Sequence, residues 1–192
     1  MKIVQAPHQS LRTIAKPVKR IDKKLYRFIT DLQKTLLGKK KPAGVGLAAP
    51  QVDKQWRIFT TNLSLQEDES DISRVYINPV MIKHPKKLSF GPDKSNPTLE
   101  GCLSIKSLYG PVPRHPWAEF EWQELIDDKL VNKSGRFEWF AARVMQHELD
   151  HLDGILFTDY ILDYDLPLYQ ESRNGKKLEE LTDREKQIID MF

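Results

Sequence analysis

The densest chemistry in this chain lies in His147-Glu148-Leu149-Asp150-His151. On a helix, two histidines four apart lie on one face, one turn apart. Both imidazoles can then reach a single metal ion. The glutamate between them is turned about 100° from the first histidine, close to the ion yet free to move protons. Two imidazoles do not complete a site, because a catalytic centre takes three protein ligands and leaves one position to water. The longer zinc-protease pattern asks for a glycine and then a further histidine, at three-residue steps after the second histidine. Gly154 meets the first requirement, Phe157 stands at the second, and no histidine follows His151. The chain has 1 cysteine, Cys102, in Glu100-Gly101-Cys102-Leu103-Ser104. A free cysteine is often a small buried hydrophobe. Beside a two-histidine site the thiolate ligand is the better reading, and Cys/His/His plus water is an allowed catalytic set. A third segment is Gly44-Val45-Gly46-Leu47-Ala48-Ala49-Pro50-Gln51. Its glycines permit close backbone approach. It lacks the third glycine of a dinucleotide fingerprint and the Lys-Ser/Thr of a phosphate loop. Gln51 could instead donate its amide N–H to an oxyanion.

These residues need elements to carry them. Leu25, Phe28, Ile29, Leu32 and Leu36 recur at helical spacing after Asp22, a candidate N-cap, with Gly38 as a candidate stop. Arg57–Thr61 and Arg74–Ile77 read as short strands. Ala118, Phe120 and Trp122 alternate with Glu119, Glu121 and Gln123, the pattern of a strand with one wet face. Of 12 prolines, 7 fall between Pro79 and Pro116, so that stretch should be extended or looped. The spacing predicts the histidine-bearing helix from about Gly135 to Leu152, with Ser134 as N-cap and Gly154 as stop. In the tail, Leu178, Leu181, Ile188 and Phe192 suit an amphipathic helix, and Thr182 with Glu185 fits a capping box. Helices scattered among short strands indicate an α+β fold.

The chain of 192 residues suits one domain, or one domain plus a short appendage. With 1 cysteine it cannot be an internally disulfide-bonded scaffold, so a reducing compartment is expected. At 40% hydrophobic and 30% charged it reads as globular, with no run long enough for a membrane helix. The first seven residues show no apolar core of a signal peptide. The net charge of +3 hides an asymmetry: residues 1–41 carry 12 basic and 2 acidic residues, the remainder 18 and 25. A basic head is commonly a solvated face, and can be a footprint on a polyanion.

Taken together, the three segments resemble the peptide deformylase family. Its pattern is G-φ-G-φ-A-A-x-Q, then E-G-C-L-S, then Q-H-E-x-D-H, matched here by Gly44–Gln51, Glu100–Ser104 and Gln146–His151. The head, with Pro7, His8, Leu11, Arg12, Ala15, Pro17 and Val18, is similar too, so the likeness spans about residues 3–162. The resemblance implies small mixed or antiparallel β-sheets around a central helix that bears the histidines. It implies Cys102, His147 and His151 as ligands of one divalent ion, natively Fe2+, with Zn2+, Ni2+ or Co2+ found in its place. Glu148 would be the general base and then the acid. Gln51 and the backbone N–H of Leu103 would form the oxyanion hole. Backbone groups of Val45, Gly46 and Gly101 would pair with the peptide as an added strand. Glu100 would pair with Arg114 and orient the cysteine loop. The implied reaction removes formyl from the N-terminal formylmethionine of nascent polypeptides in a bacterial-type cytoplasm. A monomer is expected, with the ribosome exit region as a partner and no membrane.

On this reading residues 1–165 form the catalytic domain and 166–192 a charged, helical extension. The chain departs from the compact members of the family at three places. The loop from Val80 to Leu99 is longer; preceding the cysteine motif, it could line the cleft rim, and it otherwise reads as a surface insertion. Tyr109 stands where some members have an arginine that touches substrate, seven positions after the cysteine. The tail from Glu171 is half charged with net −1, unlike a basic ribosome-docking helix. His8, His84 and His115 read as surface or structural histidines. Two other functions compete: a different metallohydrolase that cuts peptide bonds, and a non-enzymatic peptide- or ribosome-binding module with the same fold.

Overall fold

The computed structural model describes residues 1–40, 43–63, 73–172 and 177–192. Lys41, part of the basic head, lies outside the described residues. Helix α1 spans Lys23–Leu37, opened by the Asp22 carboxylate accepting from the Leu25 N–H at 2.8 Å and closed at Gly38. Strands β1 (Gly46–Ala48), β2 (Ile58–Thr61), β3 (Arg74–Lys83), β6 (Trp117–Ile126) and β7 (Lys129–Glu138) form one antiparallel sheet in the order β1-β2-β3-β6-β7. A second sheet is ordered β4-β5-β8-β9, from β4 (Leu99–Cys102), β5 (Ile105–Pro111), β8 (Tyr169–Glu171) and β9 (Leu178–Glu180). Helix α2 (Trp139–Leu152) carries both histidines, followed by α3 (Phe157–Asp163) and the single turn α4 (Asp183–Lys186). The expected α+β class is what the chain adopts.

The larger sheet is covered on both faces, which follows from alternation along its strands. Phe59, Tyr76, Phe120 and Trp122 point one way, onto Ala142, Met145 and Leu152 of α2. Leu47, Ile58 and Ile77 point the other way, onto Leu25, Phe28, Leu32 and Leu36 of α1. Strand β2, buried at all four positions, lies at the middle of this sandwich. A separate core, with Leu108, Val112, Phe157, Ile161 and Leu168, joins the smaller sheet to α3. Central helix α2 therefore faces the larger sheet on one side and carries its chemistry toward the strand β4 that ends in Cys102.

Three elements differ from the sequence expectations. The histidine helix begins at Trp139, not near Gly135, because Ser134 and Gly135 lie inside β7. That strand pairs with β6 at ten successive positions through a turn at Asp127 and Asp128, both with positive φ (46° and 60°). Two central residues at positive φ make the hairpin turn whose twist matches its strands. The ladder bonds are non-local and outweigh the local capping signal. The helix start has no side-chain cap; the Trp139 N–H instead donates to the Pro116 carbonyl at 2.7 Å. Secondly, β3 runs on to Lys83, past Pro79, with a bulge where its register to β6 shifts. Proline donates no ladder bond, and a bulge accommodates it. Thirdly, the tail is not helical throughout. Leu178–Glu180 is a strand on β8, and helix begins only after Thr182. There the expected capping box is present, with the Thr182 N–H donating to Glu185 Oε2 at 2.9 Å.

Candidate active site and metal centre

The sheets end against each other at a cleft of about 400 Å³. Its walls come from β1, the β4–β5 turn and the outer face of α2, with Val45, Gly46, Gln51, Gly101, Cys102, Leu103, His147 and Glu148 all on it. At its base the ligand atoms of Cys102, His147 and His151 lie within 4.8 Å of one another. The Cys102 Sγ to His151 Nε2 distance is 3.2 Å. The one-turn spacing on α2 brings the two rings together edge-on, with centroids 4.9 Å apart. Register does the rest: β4 pairs Glu100 with Gly110 and Gly101 with Tyr109, then slips by a bulge at Cys102, which turns the thiol inward.

A thiol sulfur and two imidazole nitrogens grouped this closely are a donor set that suits a divalent cation. Burial pushes the His147 pKa down, but the Cys102 sulfur and the Glu100 carboxylate overcome it and hold it well above the usual imidazole value. Burial, aided by His147 and Arg114, holds His151 well below that value, in the neutral form that ligates metals. His147 Nδ1 is 3.0 Å from Glu100 Oε2, so Nε2 is the nitrogen left to face the thiol.

Glu100 is the hub of this support. Its carboxylate accepts from Arg114 Nε at 2.9 Å and Nη2 at 3.0 Å, and from Arg143 Nη1 at 2.7 Å. Burial pushes its pKa up, yet the Arg114 charge and the His147 and Arg114 hydrogen bonds keep it well below the usual carboxylate range. Arg114 also bonds Asp150, the fourth residue of the histidine segment, and lies over the Tyr160 ring at 4.6 Å.

Glu148 is 3% exposed and its Oε2 has no hydrogen-bond partner among the described residues. Burial pushes its pKa up to about 7, against the lowering pull of His147. Gly46 lies directly against it: a Cβ there would fall inside the Glu148 carboxylate. Gln51 is anchored through its Oε1, which accepts from the Ala48 N–H at 2.8 Å. That bond turns Nε2 toward Cys102 Sγ (3.4 Å) and Ser104 Oγ (3.3 Å). The cysteine turn is pinned from the N-terminal segment. Gln5 Nε2 donates to the Leu103 carbonyl at 3.0 Å, and the Ala6 N–H donates to Ser104 O at 2.9 Å.

Every site residue named from sequence lies in this region, including the Glu100–Arg114 pair. Arg143 and Asp150 were missed. Asp150 lies within the histidine segment, and an acid on a helix packed into the core asks for a buried cation, here Arg114. Arg143 sits between Ala142 and Val144, and an arginine in an apolar helical run asks for a buried carboxylate. The described part of the long loop does not line the cleft before Leu99. Ser89 bridges back to Arg114, and the loop closes a neighbouring cavity of about 140 Å³.

Comparison with known proteins identifies the family. A family model for polypeptide deformylase matches residues 1–165. A peptide deformylase of Neisseria meningitidis is 35% identical over 159 residues, 83% of this chain and 85% of that one. One of Rhodopirellula baltica is 37% identical over 161 residues, 84% and 73%. Among solved structures, the Thermotoga maritima peptide deformylase superposes with a TM-score of 0.69 at 29% identity, covering 83% of this chain and 95% of that one. The Legionella pneumophila enzyme gives 0.68 at 31%, covering 83% and 84%. Among the described residues no helix is long and apolar enough to cross a membrane. Family match, identity and fold agree, and the chain belongs to the peptide deformylase family of enzymes.

Proposed function

We propose that this enzyme removes the formyl group from the N-terminal formylmethionine of nascent polypeptides, using the cleft between β1 and β4. The observation that carries this reading is the grouping of three ligand atoms, a buried unpaired carboxylate and an anchored amide donor at one end of that cleft. Cys102, His147 and His151 would hold one divalent ion, natively Fe2+, with Zn2+, Ni2+ or Co2+ able to replace it. When bound, such an ion supplies the Lewis acidity that makes water a nucleophile near neutral pH.

The chain's own residues do the remainder. Glu148 takes the proton of the attacking water at its unpaired Oε2 and passes it to the leaving amine. Its raised pKa suits a group that both accepts and returns a proton. Gln51 Nε2 and the Leu103 N–H stabilise the tetrahedral oxyanion, and one such donor is typically worth about 2.7–4 kcal/mol. Glu100 fixes the His147 tautomer, and Arg114 fixes Glu100. β1 and β4 are end strands of their sheets, so Val45, Gly46 and Gly101 can pair with an extended peptide without displacing a neighbour. Formate and a free methionine N-terminus leave.

Residues 1–165 are read as the catalytic domain and 166–192 as its extension, acting in the cytoplasm as a monomer. The basic head, with Lys39 on the cleft border, is the face read as approaching the ribosome exit region. The test is formate release from formyl-Met-Ala-Ser by enzyme loaded anaerobically with Fe2+ or Ni2+. Release of formate with the peptide bonds intact is expected. Metal-loaded, folded enzyme that leaves the formyl group in place would overturn the reading.

A further inference from the structure

The C-terminal tail adds a strand to the cleft-bearing sheet, and this places one carboxylate on the cleft. β8 pairs with β5 through Leu108↔Gln170 and Tyr109↔Tyr169, and Glu171 lines the cleft with Tyr109. Residues directly opposite across an antiparallel pair share a face. Tyr169 therefore lies on the face of Tyr109, and Glu171, two residues on, lies on that face diagonal to it. The Tyr109 ring in turn covers Gly101, its partner on β4, where a Cβ would press into the ring. From the free edge of β4 outward, the order on this face is Gly101, the Tyr109 ring, then the Glu171 carboxylate. Tyr109 feels that carboxylate: burial first, and Glu171 second, raise its hydroxyl pKa.

A peptide added at the edge of β4 would run three strand spacings from β8, about 14 Å at ~4.8 Å per spacing. Side chains rise from a sheet before they lean across it, so the long stems of lysine and arginine carry a charge farthest toward the glutamate, over the Tyr109 ring, a face that attracts cations.

Resting on the deformylase reading, we propose that Glu171 and Tyr109 are specificity-determining residues that favour formyl-peptides with lysine or arginine at one of the two positions after methionine. The tail strand thus supplies a substrate contact to the cleft. Lys39 and Lys106 also border the cleft and would favour the opposite charge. The sign of the preference is therefore decisive.

The test is kcat/KM of full-length, metal-loaded enzyme at low salt on formyl-Met-Lys-Ser, formyl-Met-Gln-Ser and formyl-Met-Glu-Ser. The same three residues are also placed one position later. Lysine should exceed glutamine about threefold to tenfold at one of the two positions, chiefly through KM, and fade in high salt. 2,4-Diaminobutyrate, with the same charge on a shorter stem, should show no gain. Glu171→Gln should bring the lysine-to-glutamine ratio to about one, and Glu171→Lys should invert it toward glutamate. Equal rates for all three peptides, a glutamate preference in the unaltered enzyme, or a lysine preference that survives both variants would overturn the inference while leaving deformylation intact. Turnover of no formyl-peptide would overturn the inference and the activity beneath it.

Discussion

Gly46→Ala is the smallest change that reaches the proposed base. An ideal Cβ on Gly46 would lie 2.6 Å from Glu148 Cδ and 2.8 Å from Cγ, nearer still to Oε1. Ordinary carbon contacts begin near 3.5 Å, so the carboxylate or strand β1 must retreat by about 1 Å. Neither has slack. Glu148 is 3% exposed on a helix packed against β1, and Gly46 is held by β2 opposite Thr61. A displacement of ~1 Å at reacting groups costs on the order of 10²-fold, and complete loss of a general acid–base group costs about 10²–10⁴-fold. Gly46→Ala should therefore lower kcat roughly 10²-fold, with metal content retained. The assay is formate release at saturating peptide, with metal content and thermal melting measured on the same sample. Glu148→Asp shortens the crowding side chain, so a double-mutant cycle should show coupling, the pair losing less than the two singles combined. Full activity in Gly46→Ala, or purely additive losses, would refute the assignment of Glu148 as the proton carrier held by this contact.

Glu148→Ala should keep the metal and lose turnover by about 10²–10⁴-fold, read by metal analysis beside the formate assay. Cys102→Ala should instead lose metal on dialysis against a chelator that leaves the unaltered enzyme loaded. Arg143→Met removes a buried cation that serves Glu100, Val112 O and Ser89 O, so it should cost about 3–5 kcal/mol and open the loop at Ser89 to protease. Asp22→Ala removes the cap of α1, costing about 1 kcal/mol and lowering the melting temperature by roughly 2–4 °C, with activity unchanged.

What the sequence made legible was local. Helical spacing places His147, Glu148 and His151, and the resemblance supplies Cys102, Glu100, Arg114 and Gln51. Alternation at Ala118, Phe120 and Trp122 identified β6, and Asp22 identified the start of α1. What stayed hidden depends on pairing between distant segments. Ser134 has the chemistry of an N-cap, but its backbone is committed to Glu121 of β6, so the helix waits until Trp139. Leu178 to Leu181 has helical spacing, but β8 offers a free edge and takes Leu178–Glu180 as a strand. Arg143 has no local partner in the sequence; its carboxylate, Glu100, lies 43 positions away. The same distance effect hid the cleft contribution of Glu171, because only the β5–β8 register carries it there.

The measurement that bears most directly on the central claim is formate release by anaerobically purified enzyme with a stoichiometric divalent ion. It is set beside Glu148→Ala carrying the same ion. The account predicts formate from formyl-Met-Ala-Ser with the unaltered enzyme and, in the variant, bound metal with turnover down at least about 10²-fold. Equal formate release by both would contradict it, as would a loaded, folded, unaltered enzyme that releases none.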